Sequence, residues 1–159
     1  MRHTSAVAVL SALVLTAVLS FAQAKKPTSK PAGSAPDKAH LQDIWDGWST
    51  LDVSKVADFY ASGPHVFFDI APLKYNSFDE YKEGVVKELA DYKTAKFTLN
   101  DDVEIHPAGP YTWVTATVKE DATMKSGKRE MANFRWTAVF EKQSGKWLIV
   151  HEHVSEPVQ

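Results

Sequence analysis

The end of this chain constrains its fold most. Phe134 to Lys142 and Lys146 to Ser155 are two apolar, aromatic-rich runs separated by Gln143-Ser144-Gly145, the pattern of a β-hairpin. Successive strand residues point to opposite faces. Plain alternation therefore puts Trp147, Ile149, His151 and His153 on one face and Leu148, Val150, Glu152 and Val154 on the other. A three-residue loop with Gly145 in the left-handed region sets Lys142 opposite Lys146, Arg135 opposite His153 and Thr137 opposite His151. One face then runs from Trp147 and Val139 near the turn to a cluster of Arg135, Thr137, His151 and His153 at the far end. A slip of one residue would take Arg135 out of that cluster.

The start of the chain reads as a targeting segment. Met1-Arg2-His3 is a short basic opening, Ala6 to Phe21 is almost wholly apolar, and Ala22-Gln23-Ala24 has the small-x-small form of a cleavage site. Residues 1–24 are thus expected to be a signal peptide. The apolar run is shorter than the roughly 20 residues a spanning helix needs, so the expected location is periplasmic or secreted, with no membrane association after cleavage. The chain has no cysteine, hence no disulfide framework. Residues 25–36 are a Lys/Pro/Ser/Gly/Ala tether, flexible by composition, and residues 37–159 form one domain. The full chain carries 18 basic and 20 acidic residues. Removal of Arg2 with the signal leaves a mildly acidic chain, which excludes the basic stripe of a nucleic-acid binder.

Asp37 is an N-cap before a helix with Leu41, Ile44, Trp45 and Trp48 on one stripe. Asp52 caps a second, shorter helix with Val53, Val56 and Tyr60 inward. His65 to Ile70 is a short β run and Ala71 to Asn76 a loop. Ser77-Phe78-Asp79-Glu80 has capping-box form and opens a third helix with Phe78, Tyr81, Val85 and Leu89 inward. Strands are expected over Lys96 to Ile105, Tyr111 to Lys119, Arg129 to Glu141 and Lys146 to Ser155, broken at Pro107 to Pro110, Ser126-Gly127 and Ser144-Gly145. The fold class is therefore α+β, with three helices in the N-terminal half covering one face of a curved, mainly antiparallel sheet. Phe134, Trp136, Phe140, Leu148, Val150 and Val154 make the face opposite the Arg/His cluster apolar too. A second copy packed on the sheet, a homodimer, is expected.

Two helices, a short strand ending in Asp69, a third helix and a long closing sheet resemble the nuclear transport factor 2-like superfamily. Within it the chain is similar to SnoaL-like, ketosteroid-isomerase-homologous proteins. The resemblance rests on Arg135-x-Thr137-x-Val139-Phe140-x-Lys142-x-x-Gly145-Lys146-Trp147-x-Ile149-x-His151-Glu152-His153-x-Ser155-x-Pro157 and on Asp69-Ile70-Ala71-Pro72-Leu73. It covers the chain after the tether. It implies a cone-shaped α+β barrel, open at one end onto a pocket and often dimeric. It implies a fold more than a reaction, since the superfamily holds isomerases, cyclases, dehydratases and assembly modules. One of these, the association domain of calcium/calmodulin-dependent protein kinase II, ends in a similar His-x-His.

Asp69 resembles the general base of the isomerases. In an apolar cone its pKa rises toward the range where it takes a proton from carbon; paired with Arg135 it would be a structural carboxylate. The isomerases add a Tyr and a protonated Asp as oxyanion donors. No acid here matches the latter, and Tyr60 and Tyr75 are candidate hydroxyls without a motif. His151 and His153 lie roughly 6–7 Å apart along a strand. His-x-His alone is a weak metal signal, so they are read as hydrogen-bonding groups or as backbone-satisfied histidines, with no metal and no cofactor expected. Arg135 must be paired with Asp69, Glu152 or an anionic ligand. Trp113 is expected on the pocket wall and Trp147 in the core. The charge runs Lys119-Glu120-Asp121 and Lys125 to Glu130 read as a solvated hairpin end.

Together these residues predict a small-molecule pocket with Asp69 and His153 as catalytic groups and Arg135, His151, Tyr60, Tyr75 and Trp113 as binding groups. The rival is a binding or oligomerisation module. An Asp69–Arg135 pair with no adjoining cavity favours the rival; a free Asp69 on an apolar pocket of about 300 Å³ or more favours the enzyme. The small-molecule reading also needs Arg135, His151 and His153 to face inward.

Overall fold

The structure, a computed structural model, describes residues 35–158. The expected signal peptide and all but the last two tether residues lie outside that range. Helix α1 spans Lys38–Ser49, and the Asp37 carboxylate accepts a hydrogen bond from the His40 N–H at 3.0 Å. Its stripe of Leu41, Ile44, Trp45 and Trp48 is buried. The second helix is realised as two 3₁₀ turns, Val53–Lys55 and Ala57–Phe59, the first capped by Asp52. Helix α2 spans Phe78–Glu88, capped by Ser77, with Tyr81 and Val85 inward.

The sheet contains β1 (Phe67–Phe68), β2 (Tyr92–Leu99), β3 (Glu104–Ala108), β4 (Tyr111–Met124), β5 (Arg129–Gln143) and β6 (Lys146–Ser155), in the order β1-β6-β5-β4-β2. β3 joins the other end of β4, and among these six strands the β1–β6 pair alone is parallel. The strand expected over Lys96 to Ile105 is thus two strands. Between them the Asp102 carboxylate accepts from the Thr117 N–H (3.0 Å) and hydroxyl (2.7 Å), so the side chain of a turn residue replaces ladder bonds.

The concave face carries Phe97, Val114, Ala116, Val118, Phe134, Trp136, Ala138 and Phe140, all buried against α1 and α2. Full burial of a side chain such as Phe140 contributes on the order of 2–3 kcal/mol. The β5–β6 turn has two residues, Ser144 (φ 50°) and Gly145 (φ 84°), pairing Gln143 with Lys146. Positive φ at both positions matches the twist of the strands, which displaces the expected three-residue loop. A bulge then interrupts the pair. Phe140 faces Ile149, but Val139 faces His151, leaving Val150 as the extra residue.

Candidate functional site

That bulge decides what faces inward. Before it, Trp147 and Ile149 are buried; after it, Glu152 and Val154 are. One inserted residue reverses the facing of the rest of a strand. Arg135, Thr137, His151 and His153 therefore do share a face, with Thr137 paired to His153, but it is the outer one. The expectation that Arg135, His151 and His153 converge inside the cone is corrected on this ground, and their place is taken by the Glu152 carboxylate, which is 1% exposed.

Glu152 is fully answered by donors. The Tyr60 hydroxyl donates to Oε1 at 2.8 Å and the Trp136 indole N–H to Oε2 at 2.9 Å. Tyr60 in turn accepts from the Trp48 indole at 3.1 Å. The Tyr81 hydroxyl also acts on Glu152. Burial nonetheless dominates and pushes the Glu152 carboxyl up to about 7, against the stabilising bonds from Trp136, Tyr60 and Tyr81. Burial raises the Tyr60 and Tyr81 phenols as well, with the Glu152 charge adding to it.

Tyr81 links this cluster to the pocket, because its hydroxyl lies within reach of both Asp69 and Glu152. Asp69, just past β1, lines an inner cavity of about 100 Å³ whose walls include Trp45, Trp48, Tyr81, Tyr92, Phe97 and Phe134. Its Oδ1 accepts from the Ile70 N–H at 2.8 Å. Burial raises the Asp69 carboxyl, while the Ile70 N–H, the Tyr81 hydroxyl and His153 pull it down. Ile70, Tyr92, Glu120 and Phe134 are shared with an outer recess of about 420 Å³, so the cavity has an open mouth. Asp69 is not bonded to Arg135, and the cavity beside it is smaller than the size expected of an enzyme pocket.

The other expected site residues divide. His153 is exposed but lies beside Asp69 on the rim, lining with it a groove of about 340 Å³ under the C-terminal tail. His151 is satisfied by backbone, its Nδ1–H donating to the Val66 carbonyl at 2.6 Å. Phe68 stands edge-on to both imidazoles, at 5.4 and 5.7 Å. Arg135 is exposed. Tyr60 supports Glu152 from behind the cavity. Tyr75 is a loop anchor, donating to the Ala71 carbonyl at 3.0 Å and lying over Gly84, where a Cβ would collide with its hydroxyl. Trp113 sits on the outer face, 43% exposed and stacked 3.7 Å from His106, so it does not line the pocket. Trp147 is in the core.

Four residues escaped the sequence reading as site groups, among them Glu88, which lines the cavity at the end of α2. Glu152 lay on the face assigned away from the pocket, Tyr81 was read only as core, and Glu120 as solvated. Glu120 is 4% exposed, because β4 runs on to Met124 and alternation places it with Ala116, Val118 and Ala122 on the concave face. That alternation was readable.

Helical segments in the N-terminal half covering a curved, unclosed, mostly antiparallel sheet make a nuclear transport factor 2-like fold. The profile of the SnoaL-like domain matches residues 38–159, and the chain belongs to the SnoaL-like domain family. Among solved structures it is similar to a nuclear transport factor 2-like superfamily protein from Salmonella enterica, at 16% identity and TM-score 0.68, covering 75% of this chain and 87% of that one. It is similar to a candidate calcium/calmodulin-dependent protein kinase II association domain from Xanthomonas campestris, at 26% identity and TM-score 0.65, covering 76% and 86%. A candidate dehydratase from Streptomyces avermitilis shares the fold at 14% identity and TM-score 0.66, covering 75% and 92%. No curated protein matches the chain.

Proposed function

We propose that this chain is an exported small-molecule-binding protein whose cavity carries out proton transfer at carbon, or the addition and loss of water, on a small organic substrate. One observation carries the reading: Asp69 and Tyr81 meet on the wall of an aromatic cavity with an open mouth, whose lining among the described residues includes no guanidinium. Asp69 takes the proton from carbon, and the single Tyr81 hydrogen, shared between Asp69 and Glu152 in the free protein, turns to the oxygen on which charge develops. In loss of water the same carboxyl, once protonated, returns its proton to the departing hydroxyl. Arg135 and His151 have no part in this chemistry, and His153 acts on Asp69 only from the rim. Glu152 and Tyr60 hold Tyr81 and the cavity base from behind.

The rival reading, an assembly module, is favoured by the 26% likeness to a candidate association domain. It gains from the outer face, where Arg135, Trp113 and His153 stand exposed. A homodimer through that face is compatible with either reading; sedimentation at micromolar concentration tests it, a monomer counting against.

Native mass spectrometry of protein purified from its own host separates the two. The enzyme reading expects a co-purified organic molecule whose carbon-bound hydrogens exchange with heavy water, with Asp69→Asn slowing that exchange by about a hundredfold or more. Protein that never carries a ligand, or an Asp69→Asn variant exchanging at the wild-type rate, leaves the assembly reading.

A further inference from the structure

The cavity has carboxyls beyond the Asp69 that proton transfer uses. Asp69, Glu88 and Glu120 all line it, and among the described residues no lysine, arginine or histidine does. Glu120 is the telling member. It is 4% exposed, lies at the neck shared by cavity and recess, and its Oε1 has no hydrogen-bond partner. A buried carboxylate oxygen left unanswered costs free energy that the fold recovers only when a donor arrives.

The Tyr92 hydroxyl at the same neck acts on the Glu120 carboxyl but leaves Oε1 without a bond, and the recess does not supply the missing donor. Arg129 is held by Asp121 through bonds of 2.8 and 2.6 Å, and Lys128 reaches Glu130 at 2.8 Å. Nor does the geometry suit a metal ion, since among the described residues no three His, Cys, Asp or Glu groups converge closely enough to hold one. The carboxyls are spread around walls of tryptophan, tyrosine and phenylalanine. Aromatic faces attract cations through the negative potential above the ring, most strongly where water is excluded.

We propose that this pocket takes an organic cation, an amine whose ammonium sits against Glu120 at the neck and whose hydrocarbon part lies between the aromatic walls. The proposal rests on the small-molecule reading above and narrows it to one ligand class. An ammonium offers three donors: one meets the orphan Oε1, and the others meet water at the open neck. The carboxyls are consistent with an absent counter-charge. Burial raises Glu120 against the Tyr92 hydroxyl, which lowers it, and the Glu130 and Glu156 charges add to the rise; burial and the Asp69 charge raise Glu88 against the Tyr75 hydroxyl.

Isothermal titration with three ligands sharing one ring, benzylamine, benzyl alcohol and benzoate, tests it at neutral pH on the wild-type protein. Benzylamine is expected to bind at least about tenfold more tightly than the alcohol, and benzoate not at all. Glu120→Gln, nearly identical in shape, is expected to weaken benzylamine about tenfold and leave the alcohol unchanged; Glu88→Gln acts the same way but less. The wild-type comparison stands even if a variant fails to fold. Equal binding of amine and alcohol, a preference for benzoate, or no benzylamine binding overturns the cation assignment. Equal binding would leave the small-molecule pocket intact, whereas that broader reading falls on the heavy-water exchange result.

Discussion

The two faces of β6 carry titratable groups under opposite conditions. Inward, Glu152 is answered by donors that packing holds in place: Tyr60 is stacked 4.3 Å from Phe78, and Trp136 stands edge-on 5.4 Å from Trp45. Outward, His151 leans on a backbone carbonyl and His153 meets solvent, as Arg135 does on the neighbouring β5. The same strand therefore holds a proton-binding group that is part of the fold and a set of groups that are not. The face on which a side chain lies, and not its residue type, sets its role.

The largest break in that contrast is Glu152→Ala. It leaves the Tyr60 and Trp136 donors unpaired around a small void, and is expected to cost about 3–5 kcal/mol in urea unfolding. Next comes pH. The folded carboxyl titrates at about 7 against an ordinary 4.5, so the folded state holds the proton more tightly than the unfolded chain does. The Glu152 contribution is therefore complete below the ordinary value and is lost as pH rises through 7, worth on the order of 3 kcal/mol. Burial shifts Asp69 and Glu120 in the same direction, so the decline is read as the difference between wild type and Glu152→Gln, which removes this part of it. Tyr60→Phe leaves the Trp48 indole and one Glu152 oxygen each short of a partner, and is expected to cost about 1–2 kcal/mol. Arg135→Ala, on the outer face, is expected to stay within about 0.5 kcal/mol of wild type. A cost near that of Glu152→Ala would put Arg135 back inside the account.

The helices and most of the sheet were legible because their signals are local. Asp37 and Ser77 cap the helices they were expected to cap, and the Leu41, Ile44, Trp45, Trp48 stripe is the buried face of α1. The inward group on β6 was not legible. Ile149-Val150-His151 is an ordinary strand sequence, and nothing in it marks Val150 as the extra residue. The bulge is set by how β5 and β6 together fit the curved sheet, a tertiary property. The loop between β2 and β3 was hidden for a similar reason, since the partner of Asp102 is Thr117, fifteen residues away. Glu120 is different: its alternation with Val118 and Ala122 was present, but the neighbouring Lys119 and Asp121 drew the reading toward solvent.

The most direct test is a carbon-13 NMR pH titration of the glutamate side-chain carboxyls, with the Glu152 signal assigned by its loss in Glu152→Gln. A midpoint near 7 is the result predicted for a carboxyl sealed inside the cone behind Tyr60, Tyr81 and Trp136. A midpoint at the ordinary glutamate value would mean that β6 presents its other face inward and that the site described above is not the site.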